Sequence, residues 1–442
     1  MEAQTSHIQV TISIESLASS FENMLVGDLS MSSNVSIFKV PKILHRHNPQ
    51  AYEPNAFSIG PFRHGHDQLK PTEKIKLKYL QGLLRRSSHS KQLLRKLISA
   101  VRAIEEEARE CYAGSIPTSV EDFVKILVLD GCFIIELFRK DAEEVPKDSG
   151  DPIFTMSCLL EFLKHDLILL ENQIPWLVLE HLFSLIEDTG GRSLIELALA
   201  FFSNIFSSSR KPSIEPEKFA NHKIKHILDL LRLSLILPLD SLDSLDKGSG
   251  WQPFHCAQKI KDSGIKFKKV NSESVLDIRF RNGVLEIPPL LVQETTEPIF
   301  RNLISFEQCY PNCPPIITSY AKLMDNLIDT TADVEILCDN DVLDNWLNPE
   351  DATKFFNKLY NDAYVKTFYY HDVCHLVNTY SKRWWPRWRY FYTHNYFSTP
   401  WAIVSQVVAV IFLILGFAQT YFTIAGYLNQ KDESQNPHKK FF

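Results

Sequence analysis

The apolar run from Trp401 to Leu428, WAIVSQVVAVIFLILGFAQTYFTIAGYL, constrains this chain more than any other stretch. It holds 28 residues without a single Lys, Arg, Asp or Glu. As a helix, the 23 residues from Ile403 to Ala425 span roughly 34 Å, enough to cross hydrocarbon about 30 Å thick with some tilt. A core helix of that length would show a polar face. This one offers only Ser405, Gln406, Gln419, Thr420 and Thr423. Trp401 at one end, with Tyr421 and Tyr427 toward the other, matches the aromatic residues found at membrane–water interfaces. The run predicts one transmembrane helix within 399–428, followed by a short polar tail at 429–442.

A composition of 45% hydrophobic and 12% aromatic residues supports a large packed core before that run and argues against disorder. The net charge of −6 leaves no global basic footprint, so nucleic acid is not the expected partner. The first residues, MEAQTSHIQVTISIESL, lack a basic stretch leading into a continuous apolar one, as a secretory signal would have. The expectation is therefore a tail-anchored protein with its body in the cytosol, at the plasma membrane or an endomembrane. Four basic residues before the span against Lys431, Lys439 and Lys440 after it lean weakly the same way. The eight cysteines are scattered through apolar segments and should be reduced, most of them acting as small buried hydrophobes.

Taken in order, residues 1–36 are polar and Ser-rich and read as a mobile arm, with a short amphipathic stretch around Ile14, Leu17, Phe21 and Leu25. From Ile37 to Leu69 the chain is rich in Pro, Asn and aromatics without a helical period, which predicts an extended or looped strap. Helical spacing then runs from Lys70 to Cys111, broken by SSHS at 87–90. Ser119 followed by Asp122 signals a helix start before the apolar run 123–138. Two nearly all-apolar helices follow at about 152–170 and 175–187, with Pro175 in the first turn of the second. The SSSRKPS linker at 207–213 precedes a helix predicted over 217–235, and DSLDSLDKGSG at 240–250 is the clearest boundary.

Beyond that boundary the period changes to alternation. VLDIRF at 275–280 and VLEI at 284–287 flank Asn282-Gly283, which predicts a hairpin, and IKFKKV at 265–270 offers a third strand. Helices are predicted over 315–330, 334–346, 350–362 and, aromatic-rich, 363–384, with Pro386 ending the last. The expected fold is mainly α: a large helical body in two halves, 37–239 and 251–398, a small β-hairpin or sheet insert near 265–288, and one C-terminal transmembrane helix.

Several blocks resemble a known family. IFKVP at 37–41, Tyr52-Glu53-Pro54, SIGPFRHG at 58–65, LDGCFIIEL at 129–137 and DLILLENQIPWLVL at 166–179 are similar in kind and order to the plant family called domain of unknown function 247. LEIPPLLV at 285–292, TEPIFRNLISFEQC at 296–309, NWL at 345–347, VNTY at 377–380 and the terminal PW with its span continue the likeness. One departure is visible: two histidines usually follow the aromatic of the opening block, and here Arg63 takes the first place, leaving only His64. The resemblance implies a plant protein with one C-terminal span and no established enzymatic activity. Some members belong to grass self-incompatibility loci, a role that shared blocks cannot transfer. The polar residues of these blocks, His64, Asp130, Glu136, Glu171, Asn172, Gln173, Glu307 and Gln308, are expected to be structural.

Five constellations invite chemical readings. His371-Asp372-Val373-Cys374-His375 sets two histidines at i and i+4, as zinc helices do, but with Asp in place of the water-polarising Glu and no third ligand. His45, His47, His64 and His66 form two H-x-H pairs in the strap, and Cys309 with Cys313 lacks a second Cys or His pair. No metal or cofactor is expected from either. Asp130, Glu136, Glu161, Asp166 and Glu171 lie on apolar helices, where two approaching carboxylates can serve as acid and base. Buried charge needs a partner in any case, and the simpler expectation is that Glu171, Asn172 and Gln173 cap and cross-link the core. The basic, aromatic approach to the span, Lys382, Arg383, Trp384, Trp385, Arg387, Trp388 and Arg389, together with Trp401, is read as a membrane-interface segment attracted to anionic lipid.

No catalytic motif is present: G-x-S-x-G, a Walker loop and a dinucleotide glycine pattern are all missing. The leading expectation is a membrane-anchored interaction or recognition module with an unknown protein partner. An enzyme using the carboxylates and a lipid-facing adaptor using the juxtamembrane stub are the rivals.

Overall fold

The computed structural model describes residues 2–25, 34–186, 191–206, 215–239, 252–383 and 400–435. The chain forms two compact units. The first comprises Met1–Asp240, Gln293–Thr318 and Asn361–Val365; the second comprises Ser241–Val292, Ser319–Tyr360 and Lys366–Phe442. Helices dominate, with short strands confined to the second unit. The mainly helical expectation holds, as does the small sheet insert.

The helix Val120–Asp141 is the axis of the first unit. Ser119 starts it by accepting a hydrogen bond from the Asp122 amide at 3.1 Å, as the sequence signal requires. It is buried almost all round, from Phe123 to Phe138, because helices Lys70–Arg86, Ser90–Ala103, Trp176–Ile186 and Leu194–Phe201 pack on its different faces. Aromatic side chains fill the joints. Phe133 stacks on Phe57 of the strap at 5.4 Å and meets the edge of Tyr79 at 5.1 Å. The strap enters this unit at Ile37, whose backbone bridges to Tyr112 in parallel fashion. It carries three short turns, Lys42–His45, Pro49–Tyr52 and Asp67–Leu69, but no longer helix before Lys70.

The second unit holds β1 (Lys266–Lys269), β2 (Arg279–Arg281) and β3 (Val284–Ile287) in the order β1-β3-β2. β2 and β3 form the predicted hairpin, with Asn282 (φ 50°) and Gly283 (φ 79°) in the left-handed conformations that a tight primed turn needs. The 265–270 stretch does add a third strand, paired in parallel with β3. A separate pair joins β4 (Leu290–Val292) to β5 (Leu343–Asn345) in parallel.

Several predicted helices break in the structure for identifiable reasons. The helix expected over 217–235 is a 3-10 turn, Pro216–Phe219, and a later helix, Ile227–Ile236. Between them the Lys225 carbonyl turns to accept the Trp176 amide at 2.7 Å, and His226 caps the second helix through Asp229 N. The helix expected over 334–346 ends at Asp339. Asp341 then takes a left-handed conformation (φ 56°), and Leu343–Asn345 pairs with β4 instead. The long aromatic helix expected over 363–384 exists only as His371–Ser381. Upstream, Asp362 is left-handed (φ 59°) and the backbone of Tyr364 pairs with the Gln308 side-chain amide, which an uninterrupted helix would forbid. The 152–170 helix breaks at Met156 into Pro152–Thr155 and Ser157–Leu167.

The helix Glu2–Leu25 occupies most of the stretch read as an arm, and Ile14, Leu17, Phe21 and Leu25 lie exposed on it. At the other end, Pro400–Gln435 is one helix, of which Val404–Leu428 is long and apolar enough to cross a membrane. Its two threonine hydroxyls are satisfied within the helix: Thr420 Oγ1 donates to the Gly416 carbonyl at 2.8 Å and Thr423 Oγ1 to that of Gln419 at 2.7 Å. The linkers read at 207–213 and 240–250 lie outside the described residues.

Candidate functional site

After the helix Ser157–Leu167 the chain crosses the core of the first unit without helical structure until Trp176. Backbone in that state leaves amides and carbonyls unpaired unless side chains supply partners. Here the polar residues of DLILLENQIPW do so, and nearly all of them reach the strap.

Asp166, fully buried, accepts three consecutive strap amides: Asn55 N at 2.7 Å, Ala56 N at 2.8 Å and Phe57 N at 2.7 Å. Asn172 continues the pattern. Its Oδ1 accepts Ile59 N at 2.7 Å, while its Nδ2 donates to the carbonyls of Phe57 and Asp166. Gln173 ties its own crossing together by donating to the carbonyls of Leu167 and Leu169, and it accepts Leu228 N at 3.3 Å. Glu171 accepts Val40 N at 2.7 Å and pairs with Arg63 at 2.8 Å. Arg63 also reaches Glu53 at 2.7 Å, so it cross-links the strap to the core.

Asp130 holds the next strap amide, Gly60 N, at 2.8 Å and pairs with Lys76 at 2.6 Å. Lys76 is wholly buried and also contacts Glu73 at 2.7 Å and the Ser58 carbonyl. Burial pushes the Asp130 carboxyl above its usual range, and the Lys76 ammonium pulls it back only part of the way. Gly60 is required where it stands. Its φ is +72°, and a Cβ there would lie 2.3 Å from the Gln173 carbonyl oxygen.

The remaining block residues do similar work. Glu136 pairs with Arg86 at 2.6 Å, while its Oε1 has no partner among the described residues. Glu307 accepts Ile317 N and Thr318 N, the hydroxyl of Thr318, and Arg232 at 3.3 Å. Gln308 makes a two-way amide pair with Tyr364, accepting its N–H at 2.9 Å and donating to its carbonyl at 3.0 Å. His64 stands apart, exposed and without a hydrogen-bond partner among the described residues. Asn302, not singled out in the sequence, joins Leu170 N to the carbonyls of Ala51 and Pro298. Lys76 and Asn302 sit in helices that read as amphipathic or apolar, and only the strap reveals their roles.

The carboxylates therefore do not converge on a reacting centre. Asp130, Asp166 and Glu171 each serve a different stretch of strap backbone, and Glu161 lies on the surface beside Lys164. Two clefts, of about 220 Å³ and about 640 Å³, are lined by other residues. Among the described residues no group of three or more His, Cys, Asp or Glu side chains is placed to hold a metal ion. His371 and His375 stack on one helix face with ring centres 6.4 Å apart. Burial pushes the Cys309 thiol up to about 11 and the Cys313 thiol up to about 12, away from thiolate chemistry.

Of the residues that the sequence reads as a membrane-interface segment, Lys382 and Arg383 are exposed beyond the helix His371–Ser381, and Trp401 is exposed near the start of the apolar helix. Trp384, Trp385, Arg387, Trp388 and Arg389 lie outside the described residues.

The chain is 28% identical over 440 residues to a UPF0481 protein of Arabidopsis thaliana, covering 94% of this chain and 91% of the relative. A putative UPF0481 protein of the same plant is 22% identical over 492 residues, covering 88% and 90%. No solved structure matches the chain. The family described as plant protein of unknown function, DUF247, matches residues 37–415, which takes in the whole clasp between strap and core and reaches into the apolar helix: the chain belongs to the DUF247 family.

Proposed function

We propose that this protein is a membrane-anchored recognition module, without catalytic activity, whose helical body presents its surface to a protein partner. The observation that carries this reading is the use made of the buried carboxylates. Asp130, Glu171 and Glu307 each spend their oxygens on backbone amides and on a Lys or Arg side chain, and Asp166 spends its on three backbone amides and the His165 ring, which stabilises a particular fold and leaves no acid–base pair poised over a cavity. The helix Val404–Leu428 supplies the anchor. The eight cysteines are all free, which suits a body on the cytosolic side of a plasma membrane or endomembrane.

A self-incompatibility type of recognition is the specific form of this reading, suggested by the family resemblance. Proximity labelling with the labelling enzyme fused to the N-terminus, run in pollen and in leaf, tests both levels. The expected outcome is a small set of proteins enriched over a control carrying only residues 400–442. No enrichment over that control sinks the recognition reading, and the same partners in both tissues remove the pollen-specific form. Protease added to intact vesicles should digest the body, and protection would reverse the orientation.

A further inference from the structure

A second feature, independent of the clasp, lies in the other unit. The helices Ala257–Asp262 and His371–Ser381 border a groove of about 640 Å³, within the size range of small-ligand clefts. Its walls are tied together where Asn378 Nδ2 donates to the Pro253 carbonyl at 2.7 Å. Four Lys and His side chains line it: Lys259 and His255 from one side, Lys382 and His375 from the other. All four are exposed, and neither lysine makes an ion pair among the described residues. One carboxylate, Asp262, shares the groove, and its Oδ1 accepts the Gln258 side-chain amide at 2.8 Å.

Lys382 directly follows the last residue of its helix, where carbonyl dipoles welcome a cation, whereas Lys259 is mid-way along its own short helix. That accounts for Lys382 but not for Lys259 or for two imidazoles lining the same space. Lysine presents a compact ammonium rather than the flat fork of arginine, so a pair on separate walls suits two tetrahedral phosphates better than one planar carboxylate. We propose that this groove binds a small, multiply phosphorylated ligand, with Lys259 and Lys382 each holding a phosphate and His255 and His375 donating hydrogen bonds to them. The phosphates belong either to a soluble polyphosphate or to the headgroup of a phosphorylated lipid.

Lysine acylation footprinting of the full chain in phosphatidylcholine nanodiscs tests this. One arm adds inositol hexakisphosphate to the solution, and the other incorporates phosphatidylinositol bisphosphate into the disc. Either anion should slow modification of Lys259 and Lys382 by about fivefold, as expected of a site four-fifths occupied. Lys268, on β1 and near Glu286, should be unaffected. Protection by the soluble anion assigns a free ligand, and protection by the lipid disc alone assigns a headgroup. No protection in either arm, or equal protection at Lys268, overturns the proposal. In Lys259→Gln, an exposed substitution that leaves the fold intact, protection of Lys382 should fall toward none, and undiminished protection would show that the two lysines do not form one site.

Discussion

Lys76 shows how much the setting of one residue decides. Its ammonium is wholly buried yet meets Asp130, Glu73 and the Ser58 carbonyl, so the charge is compensated at close range. Removing one partner of such a pair leaves the other charge stranded, at a cost of about 3–5 kcal/mol. Lys76→Met is expected to lose that much stability at pH 7, measured by urea denaturation. The loss should shrink as pH falls, because Asp130, already pushed up by burial, then takes a proton and needs no cation. A cost that is independent of pH would contradict this account. His226 gives a prediction of opposite sign. Burial holds its imidazole down at about 3, against an ordinary value of 6.5, and its ring caps Asp229 N while contacting the Ser36 carbonyl. The unfolded chain therefore binds a proton below about pH 6.5 that the folded chain refuses until about pH 3. Stability is lost through that window as pH falls, by up to about 1.4 kcal/mol per unit. Asp130 and Asp229, both pushed up by burial, act in the other direction, so the measurement is a comparison. The stability of His226→Asn should fall less steeply between pH 6.5 and 4 than that of the natural protein.

At the scale of elements, the strap from Ile37 to His66 has little regular structure of its own and is held by side chains from elsewhere. Asp166 alone receives three of its amides. Hydrogen bonds to a charged group contribute roughly 1.5–3 kcal/mol each, so Asp166→Ala should release the middle of the strap. Trypsin should then cut after Arg46 or Arg63 at least about tenfold faster, following the free energy of local opening. Cutting after Lys268 in the other unit should keep its rate. The same dependence on distant partners explains what could be read beforehand. Ser119, the 87–90 break and Asn282-Gly283 were legible because each carries its instruction in its own side chain or in neighbours a few residues away. The breaks at 220–226, 340–342 and 361–370 were not, because the partners that fix them lie elsewhere in the chain. What ends those helices is a bond to Trp176, to β4 or to Gln308, each remote in the sequence.

At the scale of the molecule, the helix Val404–Leu428 is exposed along its length with Val, Ile, Leu and Phe side chains in every direction, a surface that water would not tolerate and hydrocarbon would. The full chain should stay with the membrane pellet after alkaline carbonate extraction, and deletion of residues 400–435 should move it to the supernatant. Release of the full chain would remove the anchor. Elsewhere the units are built from interleaved stretches: Gln293–Thr318 and Asn361–Val365 return to the first unit, where Asn302 joins Ala51 to Leu170 and Asp362 meets Arg46 and His47.

The sequence by itself determined the long apolar C-terminal helix, the mainly helical class, the hairpin and the family blocks, because apolar length, periodicity and turn chemistry are local properties that need no partner to be recognised. Only the tertiary structure decided what the polar residues of those blocks do. A buried Asp reads the same whether it serves a reaction or a backbone amide, and the difference lies in which distant donors the fold brings within 3 Å of it.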